Sequence, residues 1–287
     1  MLKQILNFII HLRLHYQFLI LSGGYLAAAL IVDEVNWVQY WVQFINVHVL
    51  LFGGATAFNS WHDKDEGPIG GLKSPPEMHQ WMRSASMVLQ FFGLIWAINV
   101  NWNFTIIYAV SILFFWLYSS PLTRWKGKPV LSLIAIGVST GTNSFFMGFL
   151  AAGGYPITWF EDLTALGVFF LILSLYPVSQ VFQTEEDLKR GDVTFAAKFG
   201  LKGVKWLFAC LFPLGTAILT FSLIESRGMT GALFGLIGAV AYMIILYLVW
   251  QLKGKESEYA MVMHIKFLAS LSFVLFMLTW IASIPLL

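Results

Sequence analysis

Nine stretches of this chain, each about 20 residues long and nearly free of charge, limit its fold more than any other feature. Inside lipid only helices and closed barrels satisfy the backbone's own donors and acceptors, and a helix of roughly 20 apolar residues spans the hydrocarbon core. The runs lie at about 14–32, 37–58, 79–98, 103–120, 130–152, 163–182, 204–224, 229–250 and 263–285, between charged or Pro/Gly-marked breaks. They predict an all-α, polytopic membrane protein, with about nine transmembrane helices in a single bundle, cytoplasmic helical loops and one domain over 1–287. With 58% hydrophobic and 11% charged residues, the chain could not cover a soluble globule of its size. The start MLKQILNFIIHLRLHYQ holds Lys3 and Arg13 among apolar residues with no small-residue cleavage site, and reads as an interfacial helix. A net charge of +2 gives no dense basic face, which excludes a nucleic-acid partner. The one cysteine, Cys210, sits in an apolar run and is expected to be a buried, inert thiol.

Alternating the nine runs sorts the loops onto two sides. Sixteen of the basic residues, including Lys3, Arg13, Lys73, Arg83, Lys126, Lys198, Lys255 and Lys266, fall on the side of the N-terminus, and only Arg227 falls opposite. The positive-inside rule then places the N-terminus in the cytoplasm and the C-terminus across the membrane, as in a bacterial inner membrane or its equivalent. Nearly all polar chemistry sits in the cytoplasmic loops, so function is expected at that face.

Two of those loops are acidic in a similar way. The second run ends in AFNSWHDKDEGPIGGLKSPP, where Asn59 and Asp63 are four apart and share a helix face, followed by Asp65 and Glu66. The sixth ends in YPVSQVFQTEEDLKRGDVTFAAKFG, where Gln183 and Asp187 are again four apart, with Glu185 and Glu186 between them. Oxygen ligands at this spacing can hold a hard cation such as Mg²⁺ together with substrate phosphates. A solvated acidic helix end has the same composition, but two matched ones at one membrane level are uncommon. They can face each other across a bundle and clamp a diphosphate through bridging metal ions. Between them YSSPLTRWKGKP supplies Tyr118, Arg124, Lys126 and Lys128. Arg and Lys complete a diphosphate site, although topology alone also puts cations there.

From about Ala55 to Gly200 the sequence resembles the UbiA superfamily of intramembrane prenyltransferases. Asn59-Ser60-Trp61-His62-Asp63 looks like the family's Asn-Asp-x-x-Asp. Tyr118-Ser119-Ser120-Pro121 with Arg124 and Lys126 looks like its loop between the fourth and fifth helices, and Asp187 to Thr194 looks like its Asp-x-x-x-Gly-x-x-Thr. The resemblance implies Mg²⁺-dependent transfer of an isoprenyl chain from a prenyl diphosphate to a lipophilic, often aromatic, acceptor in a cavity open to lipid. It implies catalytic roles for Asp63 and Asp187, metal ligation by Asn59, Asp63, Glu66, Gln183, Glu186 and Asp187, and diphosphate binding by Asn59, Tyr118, Arg124, Lys126, Lys189 and Arg190. Ser60, Gly67 and Gln183 stand where the family usually has aspartates, which leaves nearby acids such as Glu66 and Glu186 to take over.

Other residues have an ordinary explanation beside a functional one. His62, His79 and His264 are placed where a base could act, yet a boundary histidine is usually a hydrogen-bonded surface residue. Asn143, inside the fifth run, serves helix packing as well as it would serve an acceptor. Gly70-Gly71 reads as a turn or as a loop that closes over the diphosphate. A terpenoid cyclase on the same scaffold also ionises a diphosphate. A transporter or lipid-binding protein is the alternative of another class, and the expected absence of an obvious buried charge at the centre of any span argues against it.

Overall fold

The computed structural model describes residues 1–64 and 67–283. Helix α1, Leu2–Leu21, meets α2, Gly23–Ala29, at a bend of 48°. Within α1 the chain passes through Arg13 in the left-handed conformation (φ 49°), just after the amphipathic start, in which Leu2, Leu6 and Ile9 are exposed. The Asn36 side chain accepts from the Gln39 backbone N–H and starts α3, Trp37–Asp63, which stops where Lys64 turns left-handed (φ 51°). Then come α4, Gln80–Ala97, and α5, Trp102–Ser119, the latter capped by Asn101. Pro129 opens α6, Pro129–Ala151, and a Thr158–Glu161 capping box opens α7, Trp159–Gln180. The short α8, Thr184–Lys189, precedes α9, Phe195–Arg227, α10, Met229–Gln251, and α11, Glu256–Ile281. Among the described residues the only extended pairing is one bridge between Ile69 and Leu72.

Seven of these helices are long and apolar enough to cross a bilayer unaided, and the bent α1–α2 pair makes an eighth. The chain is therefore an integral, multi-pass membrane protein. Helix α4 stands where the third span is expected but is less apolar, because it carries Gln80, Arg83 and Gln90. Gln90 is buried and accepts from Trp116 Nε1 at 3.2 Å, so its polarity faces protein. Nine thus counts the rods, and fewer of them are unaided spans. Helix α9 starts earlier than the apolar run predicts and is interrupted at Gly200 (φ 65°, ψ 178°), which turns a short leading stretch into the span. Helix α11 also starts earlier, at Glu256 rather than near 263, so Lys266 lies further from its start than the apolar run predicts.

Each rod packs on the next in sequence, and α11 returns to pack against α1 and α2, closing a ring. Helix approach is close where small residues allow it: a side chain on Gly215 of α9 would strike the Gly167 carbonyl of α7, 2.7 Å from its Cβ. Helix α3 is 67% buried over its most apolar stretch and α10 only 22%, so α3 forms the inside of the ring and α10 its outer edge. Two expectations change here. Cys210 is exposed on the outer side of α9, since an apolar run in a membrane protein can face lipid instead of a core. Asn143 is explained by packing, its Nδ2 donating to Ser111 Oγ at 2.9 Å.

Candidate active site

At the end of the ring that gathers both acidic loops, a cavity of about 240 Å³ opens between α1, α3, α5, α6, α7 and α11. Its mouth is polar, with Asn59, Asp63, Lys126, Asp187, Arg190 and Asp192. Its depth is apolar, with Ile20, Phe115, Ile136, Ile172 and Leu175. Three π-helical stretches lie in its wall helices, Gln17–Leu21 in α1, Asn46–Gly53 in α3 and Gly137–Thr142 in α6. Such stretches are frequent at functional sites, because they re-aim side chains within a helix.

The last turn of α3 carries the first cluster. Asn59 Nδ2 donates to Asp63 Oδ2 at 2.8 Å, and Ser119 Oγ on α5 donates to Asn59 Oδ1 at 3.0 Å. Lys126 donates to Asp63 Oδ1 as a buried ion pair whose side chains are 10% and 6% exposed. The second cluster forms where α8 turns into α9. The Asp187 backbone N–H donates to the Gln183 carbonyl, and the Asp192 N–H donates back to the Asp187 carbonyl, both at 2.9 Å, folding the two acids onto one turn. Arg124 grips Asp192 with two parallel bonds, Nε to Oδ1 at 2.6 Å and the terminal nitrogen to Oδ2 at 2.7 Å. Gly127 is needed for this approach, because a Cβ there would lie 2.5 Å from Asp192 Oδ1. Tyr118 and Tyr176 join their hydroxyls at 3.0 Å in the same wall.

Electrostatics ties the clusters together. Burial, then the neighbouring Asp192 charge, push the Asp187 carboxyl up from 3.8 to about 6, against the pull of Lys126 and Arg190. Burial lowers Lys126 from 10.5 to about 8, opposing the pull of Asp192, Asp187 and Glu186. Anionic groups therefore outweigh their solvation in this mouth, the condition a divalent cation relieves. All the donors are oxygens, which suits a hard cation. Among the described residues, no three acidic, histidine or cysteine side chains converge on one point. A cation held here would complete its shell with substrate phosphate and water, as Mg²⁺ commonly does.

The sequence-derived residues divide. Asn59, Asp63, Tyr118, Lys126, Gln183, Asp187 and Arg190 all line the cavity. Glu66 and Asp65 lie outside the described residues. Lys189 does not face the cavity: it is exposed on the outer side of α8 beside Glu185 and Glu186, because one face of a six-residue helix cannot carry both Lys189 and Asp187. Arg124 is committed to Asp192 and does not line the cavity either. Gln183 acts as a donor, its Nε2 bonding the Pro68 carbonyl at 2.7 Å, which an aspartate could not do. Glu186 pairs with Arg190 and also stands by Gly67, where a Cβ would lie 3.3 Å from Glu186 Oε2. Glu186 itself is not among the residues that line the cavity.

Comparison with known proteins identifies the family and the fold. The model of the UbiA prenyltransferase family matches residues 18–271. The chain belongs to this family. Its fold is shared with solved structures of a UbiA homolog from Archaeoglobus fulgidus. One, bound to GPP and Mg²⁺, is 16% identical with a TM-score of 0.73, over 96% of this chain and 99% of that one. Another, bound to DMAPP and Mg²⁺, is 15% identical with a TM-score of 0.72, over 97% and 100%. A digeranylgeranylglyceryl phosphate synthase is 18% identical with a TM-score of 0.65, over 96% and 99%. No curated protein sequence matches the chain.

Several cavity residues of this UbiA-family chain escape sequence reasoning. Asp192 and Thr194 belong to the quoted Asp187–Thr194 motif, and their fixed spacing from Asp187 was a usable signal. Arg13, Tyr16 and Lys266 come from the two chain ends, where only tertiary structure brings them to the cavity. Lys266 is 5% exposed and near the middle of α11, so the expectation that no span carries a buried charge at its centre does not hold. His62, His79 and His264 do not line the cavity; His62 packs edge-on against Phe58 at 4.6 Å. Ile69 and Gly70 form part of the cavity wall, and Gly71 (φ 86°) makes the turn that brings them there.

Proposed function

We propose that this chain transfers an isoprenyl chain from a prenyl diphosphate to a lipophilic acceptor within the membrane, with Mg²⁺ bound at the cavity mouth. One observation carries the reading: a single cavity joins an acidic and basic mouth to an apolar depth, the profile of a ligand with a diphosphate head and a hydrocarbon tail. Asn59, Asp63, Asp187 and Asp192 would hold the metal, with Glu186 reaching it only by leaving Arg190, and the metal would neutralise the diphosphate as its bond to the prenyl carbon breaks. Lys126 is shared between the two acidic clusters, so it can turn to a phosphate oxygen when the donor arrives, and Arg190 presents a planar donor in the same mouth. The departing diphosphate takes the bonding electrons, and positive charge develops on the allylic carbons. Phe115, Tyr118 and Tyr176 place ring faces in the wall where that charge would form, and rings attract a cation through their quadrupole. Ile20, Ile136, Ile172 and Leu175 exclude water from the hydrocarbon. The cytoplasm is assigned to the mouth side by the distribution of basic residues, with Arg227 at the far side donating to the Leu30 and Val32 carbonyls.

The test is purified protein with Mg²⁺ and labelled GPP or DMAPP, read for diphosphate release with and without extracts of membrane quinones, phenols and pigment precursors. Asp63→Ala and Asp187→Ala should each lower turnover by about 10²-fold or more while the protein stays monodisperse in detergent. Near-normal turnover of either variant at limiting Mg²⁺ would sink the assignment of the mouth as the reaction centre. Release that needs no acceptor would favour a cyclase or a hydrolase.

A further inference from the structure

Lys266 lies inside the membrane-spanning helix α11 and lines the cavity. It lies seven residues beyond Tyr259, about 10 Å along α11 at 1.5 Å per residue. Among the described residues it has no carboxylate partner: its ammonium donates to Tyr16 Oη and lies 4.8 Å from the centre of the same ring. The charges at the mouth are spoken for otherwise, Lys126 by Asp63 and Arg124 by Asp192. At 5% exposure Lys266 does not reach bulk water along the outside of the bundle, and the cavity is its only open side. A membrane-embedded cation facing only a phenol is costly, and a ligand that brings an anion removes that cost.

Neighbouring groups strengthen the reading. Arg13 lines the same wall, with terminal nitrogens donating to Ser60 Oγ at 2.7 Å and to the Gly70 carbonyl at 3.0 Å. Gly70 in turn rests on Tyr16, so that Arg13, Tyr16 and Lys266 form one basic patch under the 69–72 turn. One helical turn beyond Lys266, Ser270 borders both this cavity and a second, apolar one lined by Leu171, Phe212, Phe234 and Phe273. Lys266 therefore stands between the charged mouth and a hydrocarbon-lined space. A molecule with an anionic group and a large apolar body matches that sequence of surroundings.

We propose that Lys266, held by Tyr16, forms the subsite for an anionic group, a carboxylate or a phosphate, on the acceptor. The proposal rests on the prenyl-transfer reading, since it supplies the second substrate's anchor. Neutral acceptors such as simple quinols or long-chain alcohols would bind without using the lysine.

The experiment uses two matched pairs of probes on purified full-length protein with Mg²⁺. One pair is a hydroxylated aromatic carboxylate and its methyl ester; the other is a long-chain alkylglycerol phosphate and its neutral alkylglycerol. Binding is read by calorimetry, and GPP binding is measured on the same samples. The wild type should prefer the anionic member of at least one pair by about tenfold or more, and the larger preference assigns carboxylate or phosphate. Lys266→Met should abolish the preference, Lys266→Arg should keep most of it, and both should bind GPP within about twofold of wild type. Comparable GPP binding by the Met variant shows that it is folded. The proposal is overturned if wild type binds both members of each pair equally, or if Lys266→Met keeps the preference. It is also overturned if Lys266→Met weakens GPP and leaves the pairs unchanged, since the lysine would then serve the donor. Failure of wild type to bind GPP with Mg²⁺ would overturn the prenyl-transfer reading instead, and the probe pairs, measured without GPP, would still report on Lys266.

Discussion

The Asp63–Lys126 pair can be taken apart one partner at a time, and the two halves should not cost the same. Both side chains are nearly buried, at 6% and 10% exposure, and breaking a buried pair by removing one partner costs about 3–5 kcal/mol unless the survivor can neutralise itself. Lys126 can, because burial has already brought it from 10.5 to about 8. Losing its proton at pH 7 requires only about 1.4 kcal/mol for each unit separating pH from that value. Asp63→Asn should therefore destabilise the protein by about 1–2 kcal/mol. Lys126→Met leaves a buried carboxylate without its partner, so its penalty should approach about 3–4 kcal/mol. The double variant removes both charges and should cost no more than Asp63→Asn alone, giving a coupling of about 3 kcal/mol. Unfolding by SDS titration in mixed micelles measures all four corners of the cycle. Added Mg²⁺ should restore Lys126→Met selectively, because a metal ion replaces the ammonium beside Asp63. Additivity within about 0.5 kcal/mol, or equal penalties for the two single variants, would refute the pairing and its burial.

Three further outcomes follow from the same site. Glu186→Gln should raise the Mg²⁺ concentration for half-maximal diphosphate release by about tenfold, and adding Gly67→Asp should recover it, since Gly67 has a negative φ or an extended backbone and stands against Glu186; no effect of either change would remove Glu186 from the metal shell. Asp187 ligates only when ionised, so the Mg²⁺ requirement of the free protein should climb as pH falls through about 6, and loss of charge on Lys126 should weaken donor binding as pH rises through about 8. The resulting kcat/KM profile for the donor should be bell-shaped between those limits, and a flat profile would show that neither group is used. Accessibility tags near Lys73, Lys126, Lys198 and Lys255 should report the cytoplasm and a tag after Leu287 the opposite side; a cytoplasmic C-terminus would overturn the topology.

Sequence alone determined the class of fold and the face that carries chemistry. The apolar runs leave no other structure that lipid permits, and the separation of Arg227 from every other basic residue orders the loops. Asn59, Asp63 and Asp187 were legible because a four-residue spacing sets side chains on one helix face, a purely local rule. Lys189 misled for the complementary reason: its neighbours in sequence point correctly, yet a residue two places from Asp187 on a helix faces away. The commitment of Arg124 to Asp192, the approach of Glu186 to Gly67, and the use of Gln183 as a donor to the Pro68 carbonyl all depend on contacts between distant segments. Lys266 shows the limit most clearly. Counted from the apolar run it belongs to a wet loop end, but α11 begins before the run does and the ring closes by packing α11 on α1, so the lysine is buried against Tyr16, 250 residues away in sequence. Hydropathy reports the length of a helix that lipid can hold, whereas the side each residue presents, and the chain it meets there, is fixed only when the ring closes.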